Sequence, residues 1–435
     1  MIFDRAERMS TDERAALQQR RLRTLVDRLL AADGLQATRL RAAGVASGAE
    51  LTLADLPGLP VVRKADLWEH YPYGMLAVPR TALAGLHGSS GTSGRPTIVG
   101  YTESDLRLWG QVMARSLAGA GITPDSLIHN AYGYGLFTGG LGVHHGARTL
   151  GATVLPISAG LTSRQVRLIT DLAPDALTCT PSYAVYLGEA FAAAGVGPDE
   201  ISLTVGVHGA EPWTDAMRDK IEALLGIRAL DIYGLSEIIG PGVACQTLDS
   251  GSWLHVQDDH FHVEALDPNG NEPVPDGQLG ELTFTTFTKQ ALPLLRYRTG
   301  DLARLDRTPS PDGRTSVKMS RIVGRADDML VVRGVNVYPS EIESVLLADP
   351  AVAPQYLLVL DTRTAQTRLV VCAELAADGD PAPVVARLSA ALHDRLGLRC
   401  EVRVDAPGAL PRTEVGKAVR LRRWESGEPP LPDLA

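Results

Sequence analysis

Cysteine is scarce in this chain of 435 residues, and no CxxC pair occurs. Cys179, Cys245, Cys372 and Cys400 lie far apart, which excludes a disulfide framework and points to a reducing compartment. Long apolar runs are missing too, so no stretch reads as a membrane span. The opening MIFDRAERMSTDERAALQQRR is charged from its fourth residue and has no apolar signal core, so a cytoplasmic protein is expected. Nor is there a surplus of basic charge. Lys and Arg total 42 against 51 Asp and Glu, a net −9 with the signs interleaved. Such a surface does not draw in nucleic acid, and a phosphate-bearing ligand would need locally placed cations. No Ser-His-Asp or Cys-His set and no Gly-Lys-Ser/Thr of the Walker type is found. What is present, 45% hydrophobic and 21% charged residues, is ordinary for a soluble enzyme. The length calls for about two or three domains.

Leu22, Leu25, Val26 and Leu29 repeat at helical spacing with arginines on the other face, so an amphipathic helix opens the chain. After the bend at Pro57-Gly58-Leu59-Pro60 the pattern becomes alternating α/β. Strands are expected at Thr97–Gly100, Ala152–Pro156, Leu203–Val207 and Ala229–Tyr233. A helix capped by Thr102 should bury Leu106, Trp109, Met113 and Leu117. From Phe261 to Asp306 short strands with Asn-Gly and Asp-Gly turns predict antiparallel sheet, and Asp312-Gly313 marks another turn. Beyond Gly324 a smaller α+β unit follows. It has a helix start at Pro339 with a Ser340–Glu343 capping box, and strands Tyr356–Leu360 and Leu369–Leu375. A helix from about Pro381 to Leu396 and strand Glu401–Val404 complete it. The tail GEPPLPDLA reads as disordered.

Gly88-Ser89-Ser90-Gly91-Thr92-Ser93-Gly94-Arg95-Pro96 offers tight-turning backbone, four hydroxyls and one cation, the donors a polyphosphate needs. A flexible Gly/Ser loop is the plain alternative, and this stretch alone does not decide. Asp231-Ile232-Tyr233-Gly234-Leu235-Ser236-Glu237 ends a strand with an aromatic face, a hydroxyl and a carboxylate, groups suited to adenine, phosphate and Mg²⁺. Arg296–Asp301 places a lone carboxylate after a glycine, suited to ribose hydroxyls. Gly324–Met329, Val332–Asn336 and Pro411–Lys417 follow, the last setting a lysine on a glycine-containing loop. Each has a dull alternative, but all of them in this order are hard to reach by accident.

Over nearly its whole length the chain resembles the adenylate-forming superfamily of acyl-CoA synthetases, adenylation domains and luciferases. Within it the resemblance is to the phenylacetate–CoA ligases, carried by Asn130–Gly142, Cys179–Tyr183, Gly209–Trp213, Tyr233–Gly242 and Asp327–Pro339. It implies an α/β fold: a large N-terminal domain (1–326) with an added antiparallel β part, then a small mobile α+β lid (327–435). It implies ATP, CoA and Mg²⁺ as reaction partners. Ser89, Ser90, Gly91, Thr92, Ser93 and Gly94 would hold the β/γ-phosphates. Tyr233 would stack on adenine, flanked by Ile232, Gly234, Glu211 and Pro212. Ser236 would touch phosphate, Glu237 would ligate Mg²⁺, and Asp301 would hold the ribose, with Arg325 beside it. Asp327 matches the hinge, Lys417 the lysine that contacts carboxylate and α-phosphate, and Arg333, Gly334 and Val335 the path of the pantetheine arm. Two positions depart from the family pattern: Arg95 replaces a lysine, which keeps the cation, and His208 stands where relatives are apolar.

Tyr132, Tyr134 and Phe137 could wall a flat slot, with room left by Gly209 and Ala210, although they could equally pack beneath their loop. With His208 supplying a polar group, the expected acid is a small aromatic one, a hydroxy- or amino-substituted benzoate. A carrier-protein thiol or an amine in place of CoA, and a non-catalytic nucleotide-binding regulator, are the rivals. A homodimer is expected by resemblance, and neither nucleic acid nor membrane. Cys245, His255, His260 and His262 hold zinc-competent side chains, but their spacing fits no structural zinc pattern. His144-His145 is placed in a glycine-rich turn. Arg420, Arg422 and Arg423 read as a solvated helix face, with CoA phosphates as the alternative.

Overall fold

The short aliphatic runs form the parallel half of a mixed sheet in the computed structural model, which describes residues 1–89, 96–326, 330–332, 335–363, 367–412 and 420–431. Among these residues the sheet runs Phe261–Leu266, Leu279–Thr286, Tyr297–Asp306, Lys318–Met319, Leu254–Val256 and Gly240–Gln246. It continues through Arg228–Leu235, Val205–Gly209, Ala176–Cys179, Leu127–Asn130 and Thr153–Leu155, with Gly324–Arg325 paired to Tyr297–Asp306. Neighbours from Arg228–Leu235 to Thr153–Leu155 are parallel. The remainder are antiparallel, including the expected meander from Phe261 to Asp306. The carboxyl ends of the parallel strands therefore open along one edge, where α/β sheets collect their ligands.

The expected strand before Thr102 spans Ile98–Tyr101 and stands outside this sheet, pairing antiparallel with Gly85–Gly88. Ser89 and Thr97 close that hairpin, the Ser89 N–H donating to the Thr97 carbonyl at 3.1 Å and the Thr97 N–H to Ser89 Oγ at 3.2 Å. Thr102 caps helix Glu103–Gly119 as expected, and Trp109, Met113 and Leu117 are buried while Leu106 is half-buried. This helix lies so close to Thr138–Leu150 that a Cβ added at Gly146 would come within 2.4 Å of the Met113 Cβ. His144 and His145 lie inside the second of these helices, not in a turn. Leu22, Leu25, Val26 and Leu29 of helix Thr11–Ala32 are buried together with Leu40, Leu56 and Leu295. Its arginine face is not all solvated. Buried Arg14 pairs with Asp258 and donates to the Ala6 carbonyl at 3.0 Å and Thr315 Oγ1 at 2.8 Å. No helix among the described residues is long and apolar enough to cross a membrane.

The smaller unit carries a sheet ordered Glu401–Asp405, Arg368–Leu375, Val352–Asp361 and Leu421–Trp424. Helices Pro339–Ala348 and Ala382–Leu396 cover one face through Ile342, Leu346, Leu388 and Leu392. Two local expectations fail here. Ser340 makes no cap; its hydroxyl turns to the Val323 carbonyl, and Glu343 is buried as acceptor of the Tyr356 hydroxyl. Arg422 and Arg423 lie on an edge strand, not a helix, because Leu421–Trp424 pairs in parallel with Val352–Asp361, and Arg420 directly precedes it. The tail is also less free than its composition suggests, since Leu431 is buried with Trp424 and Leu410 on the second sheet face.

Gly146→Ala should lower the unfolding free energy by about 1–3 kcal/mol, the scale of one methyl forced into a closed contact. Urea unfolding with an unchanged denaturant slope would register it; a stability equal to wild type would mean that the two helices separate freely.

Candidate active site

Strand Arg228–Leu235 ends where its antiparallel neighbour begins, so the chain turns sharply through Ser236–Ile239. Gly234 is required there, because a Cβ would lie 1.9 Å from the Gly240 carbonyl oxygen. Just before the turn, the Tyr233 hydroxyl donates to Asp301 Oδ2 at 2.7 Å, and Arg325 donates to Asp301 Oδ1 at 2.7 Å. One face of the Tyr233 ring stacks on Phe284, with centroids 6.0 Å apart. The structure thus brings together Tyr233, Asp301 and Arg325, which the sequence scatters over three segments.

Beyond the turn, Glu237 is buried, with Lys64 Nζ 3.7 Å from Oε1, and Ser236 Oγ lies 3.4 Å from Thr138 Oγ1. Ile232 pairs in register with Gly209, which sets the Gly209–Pro212 segment alongside Tyr233. Ala210 holds a φ of +73°, an uncommon left-handed conformation for a residue with a side chain. Glu211 Oε1 accepts the Ser182 hydroxyl at 3.0 Å and Oε2 the Ser182 N–H at 3.3 Å. That places the carboxylate at the amino end of helix Pro181–Ala193, where free N–H groups favour negative charge.

The loop after strand Leu127–Asn130 carries Tyr132, Tyr134 and Phe137. Asn130 shapes it, donating to Tyr134 Oη and the Gly140 carbonyl, both at 2.8 Å, and accepting Thr178 Oγ1 at 2.9 Å. Tyr132 is buried with its phenol beside the Gly209 backbone, and burial pushes that phenol well above its ordinary pKa. Phe137 is half exposed at the rim, and Tyr134 Oη lies 3.3 Å from His144 Nδ1.

His208 does not join this slot. Val205 and Val207 pack into the same core as Tyr132, and side chains alternate along a strand, so His208 points through the other face. There its Nδ1 lies 3.2 Å from the Cys179 carbonyl and its ring meets Trp213 edge-on at 5.9 Å. Burial pushes its pKa down to about 4. Cys245 and His255 face each other across neighbouring strands, but the imidazole lies 3.2 Å from Ser316 Oγ and 3.8 Å from Asp312 Oδ2. His260 lies 2.8 Å from Thr288 Oγ1 and 3.1 Å from Asp259 Oδ2.

Four residues at the site escaped sequence reading: Lys64, Tyr101, Asp105 and Lys289. Lys289 Nζ donates to the Glu237 carbonyl at 2.9 Å, and the Tyr101 hydroxyl reaches the Ser236 and Ile239 carbonyls. Asp105 accepts the N–H groups of Gln290 and Ala291. One usable signal was present. Lysine is scarce in this arginine-rich chain, occurring only as Lys64, Lys220, Lys289, Lys318 and Lys417.

Ser90, Gly91, Thr92, Ser93, Gly94, Arg95, Asp327, Arg333, Gly334 and Lys417 lie outside the described residues. Val335 opens a strand, Val335–Val337, that pairs with Leu330–Val332. The flanks of the Lys417 segment are well held. Arg412 grips Glu374 at 2.7 and 2.9 Å, and Arg420 lies 4.4 Å over the Tyr356 ring. Both line a cleft whose other wall is Ser182, Tyr186 and Glu189 of the large domain, next to Glu211.

The folded His208 imidazole takes its proton near pH 4 and the unfolded one near 6.5. Between those values the unfolded chain binds more protons, so this residue's contribution to stability falls as pH drops through that window. His208→Gln should remove roughly 3 kcal/mol of the acid destabilisation between pH 7 and 4, at 1.36 kcal/mol per pKa unit. It should also leave the ranking of acid substrates unchanged. Denaturation at both pH values, with kcat/KM for two acids, checks this; a changed ranking would put the ring back in the slot.

Residues 334–422 match the AMP-binding enzyme C-terminal domain family. The phenylacetate–coenzyme A ligase of Thermus thermophilus is 45% identical over 433 residues, covering 95% of this chain and 97% of that protein. A crystal structure of 2-hydroxyisobutyryl-CoA ligase in the postadenylation state, bound to R3-HIB-AMP, superposes with a TM-score of 0.89 at 28% identity, over 96% of this chain and 91% of that one. The same ligase with 2-HIB-AMP and CoA in the thioesterification state, over the same shares of the two chains, reaches 0.72 at 29% identity. The chain as a whole thus superposes better on the postadenylation state of that ligase than on its thioesterification state. With this coverage, and with tyrosine, carboxylates and the serine–glutamate turn assembled at the strand ends, the chain belongs to the phenylacetate–CoA ligase-like branch of the adenylate-forming superfamily, the AMP-forming acid–CoA ligases.

Proposed function

We propose that this ligase, which adenylates an acid with ATP and then forms the CoA thioester, takes phenylacetate or a closely related arylacetate. The carrying observation is 45% identity to a phenylacetate–CoA ligase over nearly the full length of both chains. The aromatic-walled slot of Tyr132, Tyr134 and Phe137 beside Gly209 and Ala210 supports it. The earlier expectation of a hydroxy- or aminobenzoate is corrected, because it rested on His208, whose ring lies on the opposite sheet face.

In this reading Tyr233 stacks on adenine between Ile232, Gly234 and the Glu211-Pro212 segment, while Asp301, held by Tyr233 and Arg325, accepts the ribose hydroxyls. Ser89 through Gly94 wrap the β/γ-phosphates. Attack of the substrate carboxylate on the α-phosphorus brings two anions together, and Arg95 and Lys417 offset the developing charge and orient an in-line displacement. Mg²⁺, when bound, supplies further neutralisation of the phosphates. The Glu237 carboxylate with the Ser236 and Thr138 hydroxyls offers the hard oxygen donors it takes, one carboxylate sufficing where phosphates complete the shell. After pyrophosphate leaves, residues 327–435 turn about Asp327, and the thiolate, arriving along Arg333, Gly334 and Val335, attacks the acyl carbon of the mixed anhydride and displaces AMP.

ATP–pyrophosphate exchange across a panel of acids, with thioester product read by mass spectrometry, tests the proposal. Phenylacetate should exceed benzoate, hydroxy- and aminobenzoates and 2-hydroxyisobutyrate in kcat/KM by at least about tenfold, the scale of one methylene in an apolar pocket. Another acid ranking first would overturn the substrate. Adenylate formed without acyl-CoA would favour a carrier thiol or an amine as acceptor.

The half-reactions should separate by mutation. Lys417→Ala is expected to slow adenylation by on the order of 10²–10³, the scale of one lost transition-state donor, and to spare thioester formation from supplied acyl-adenylate. Asp327→Pro, with φ locked, should show the reverse pattern. Equal loss of both half-reactions in Lys417→Ala, or normal overall turnover in Asp327→Pro, would remove these roles.

A further inference from the structure

Lys289 is fully buried behind the Ser236–Ile239 turn. Its ammonium donates to the Glu237 carbonyl at 2.9 Å and lies 4.9 Å over the Tyr101 ring. Removing a lysine cation from water is strongly unfavourable unless its surroundings compensate, and an apolar side chain of similar volume would fill the space without that penalty. The charge therefore calls for a use beyond packing.

Its position is also imposed from outside. Asp105, itself buried, accepts the N–H groups of Gln290 at 2.7 Å, Ala291 at 2.9 Å and Thr102 at 2.9 Å, locking the Lys289 segment to the start of helix Glu103–Gly119. The Tyr101 ring that seats the ammonium shares its hydroxyl proton between the carbonyls of Ser236 at 3.2 Å and Ile239 at 3.1 Å. The carbonyls of Ser236, Glu237 and Ile239 are thus all taken by these two side chains. The Glu237 carboxylate and the Ser236 hydroxyl meet Lys64 and Thr138 respectively.

We infer that Lys289 is a positioning residue for adenylation: seated on Tyr101, it fixes the backbone of the Ser236–Ile239 turn and so presents Glu237 and Ser236 to the metal and phosphate. This rests on the assignment of Glu237 to Mg²⁺ and Ser236 to phosphate proposed above. Lysine suits the task because its compact ammonium donates to a carbonyl and rests on a ring face at once.

The test is ATP–pyrophosphate exchange at fixed ATP with Mg²⁺ titrated, for wild type, Lys289→Met, Tyr101→Phe and Glu237→Gln. Thioester formation from supplied acyl-adenylate is measured in parallel, as is Mg²⁺–ATP binding by calorimetry without acid, which Lys289→Met and Glu237→Gln should both weaken. Lys289→Met should raise the Mg²⁺ concentration for half-maximal exchange about tenfold and lower kcat at least as much, a loss of about 1.4 kcal/mol or more. KM for the acid and the second half-reaction should stay within about twofold of wild type, since only the turn has moved. Tyr101→Phe should show the same pattern more weakly, and it decides by the same readouts should Lys289→Met fail to fold. Unchanged Mg²⁺ dependence and kcat in the folded variants, with Glu237→Gln shifted, would overturn the positioning role alone. An unshifted Glu237→Gln would overturn the metal assignment beneath it.

Discussion

Between Gly234 and the Gly240 carbonyl there is no space for a Cβ, and much of the site follows from that contact. It lets strand Arg228–Leu235 run parallel to Val205–Gly209 on one side and antiparallel to Gly240–Gln246 on the other. The strand must then reverse within the few residues that carry Ser236 and Glu237. Parallel strands direct their carboxyl ends to a common edge, and this reversal closes that edge with a carboxylate and a hydroxyl. Tyr101 and Lys289 brace the turn through its carbonyls, and the Lys289 segment is in turn braced by Asp105.

Buried ion pairs set the frame around that turn. Arg296 is bidentate to Glu264 at 3.0 Å and donates to the Pro57 and Leu59 carbonyls at 2.7 and 2.6 Å, tying the bend near Pro57 to the start of strand Tyr297–Asp306. Arg298 pairs with Glu281 on the adjacent strand, and Asp301 follows three residues later. Arg14 pairs with Asp258 and Glu7 with Arg314, while Arg115 pairs with both Asp4 and Asp259, so the first residues are tied to the segments around the sheet. Isolated pairs of this kind add little net stability because desolvation opposes their attraction, but a mispaired arrangement would strand a buried charge. They therefore select one register for the meander, and that register places Asp301 under Tyr233.

The smaller domain meets the larger across a cleft with Ser182, Tyr186 and Glu189 on one wall and Arg412 and Arg420 on the other. Apolar side chains meet there as well: Val185, Met217 and Pro354 line the same cleft, and Leu347 packs against the cluster around Ile169 and Met217. Glu374 and Tyr356 hold the two arginines that flank residues 413–419, which anchors both flanks to the small domain.

The local grammar of the chain was readable without a structure. Short apolar runs and helical apolar spacing located several of the strands, the capped helix at Thr102 and the small α+β unit, since those patterns depend on neighbours in sequence. The resemblance of Tyr233–Glu237, Asp301 and Arg325 to known motifs gathered them into one site, and the fold places Tyr233, Asp301 and Arg325 in one hydrogen-bonded chain. What sequence could not reach were choices made by partners distant in the chain. Ser340 left its expected cap for the Val323 carbonyl, and Glu343 left it for Tyr356. The motif around His208 reads as pocket lining, but the pleat of its strand turns the ring to the opposite face, and one residue of register decides that. Lys289 carries no local mark beyond its rarity. Its role follows from contacts with Tyr101 and Glu237, whose distances in sequence only the tertiary structure closes.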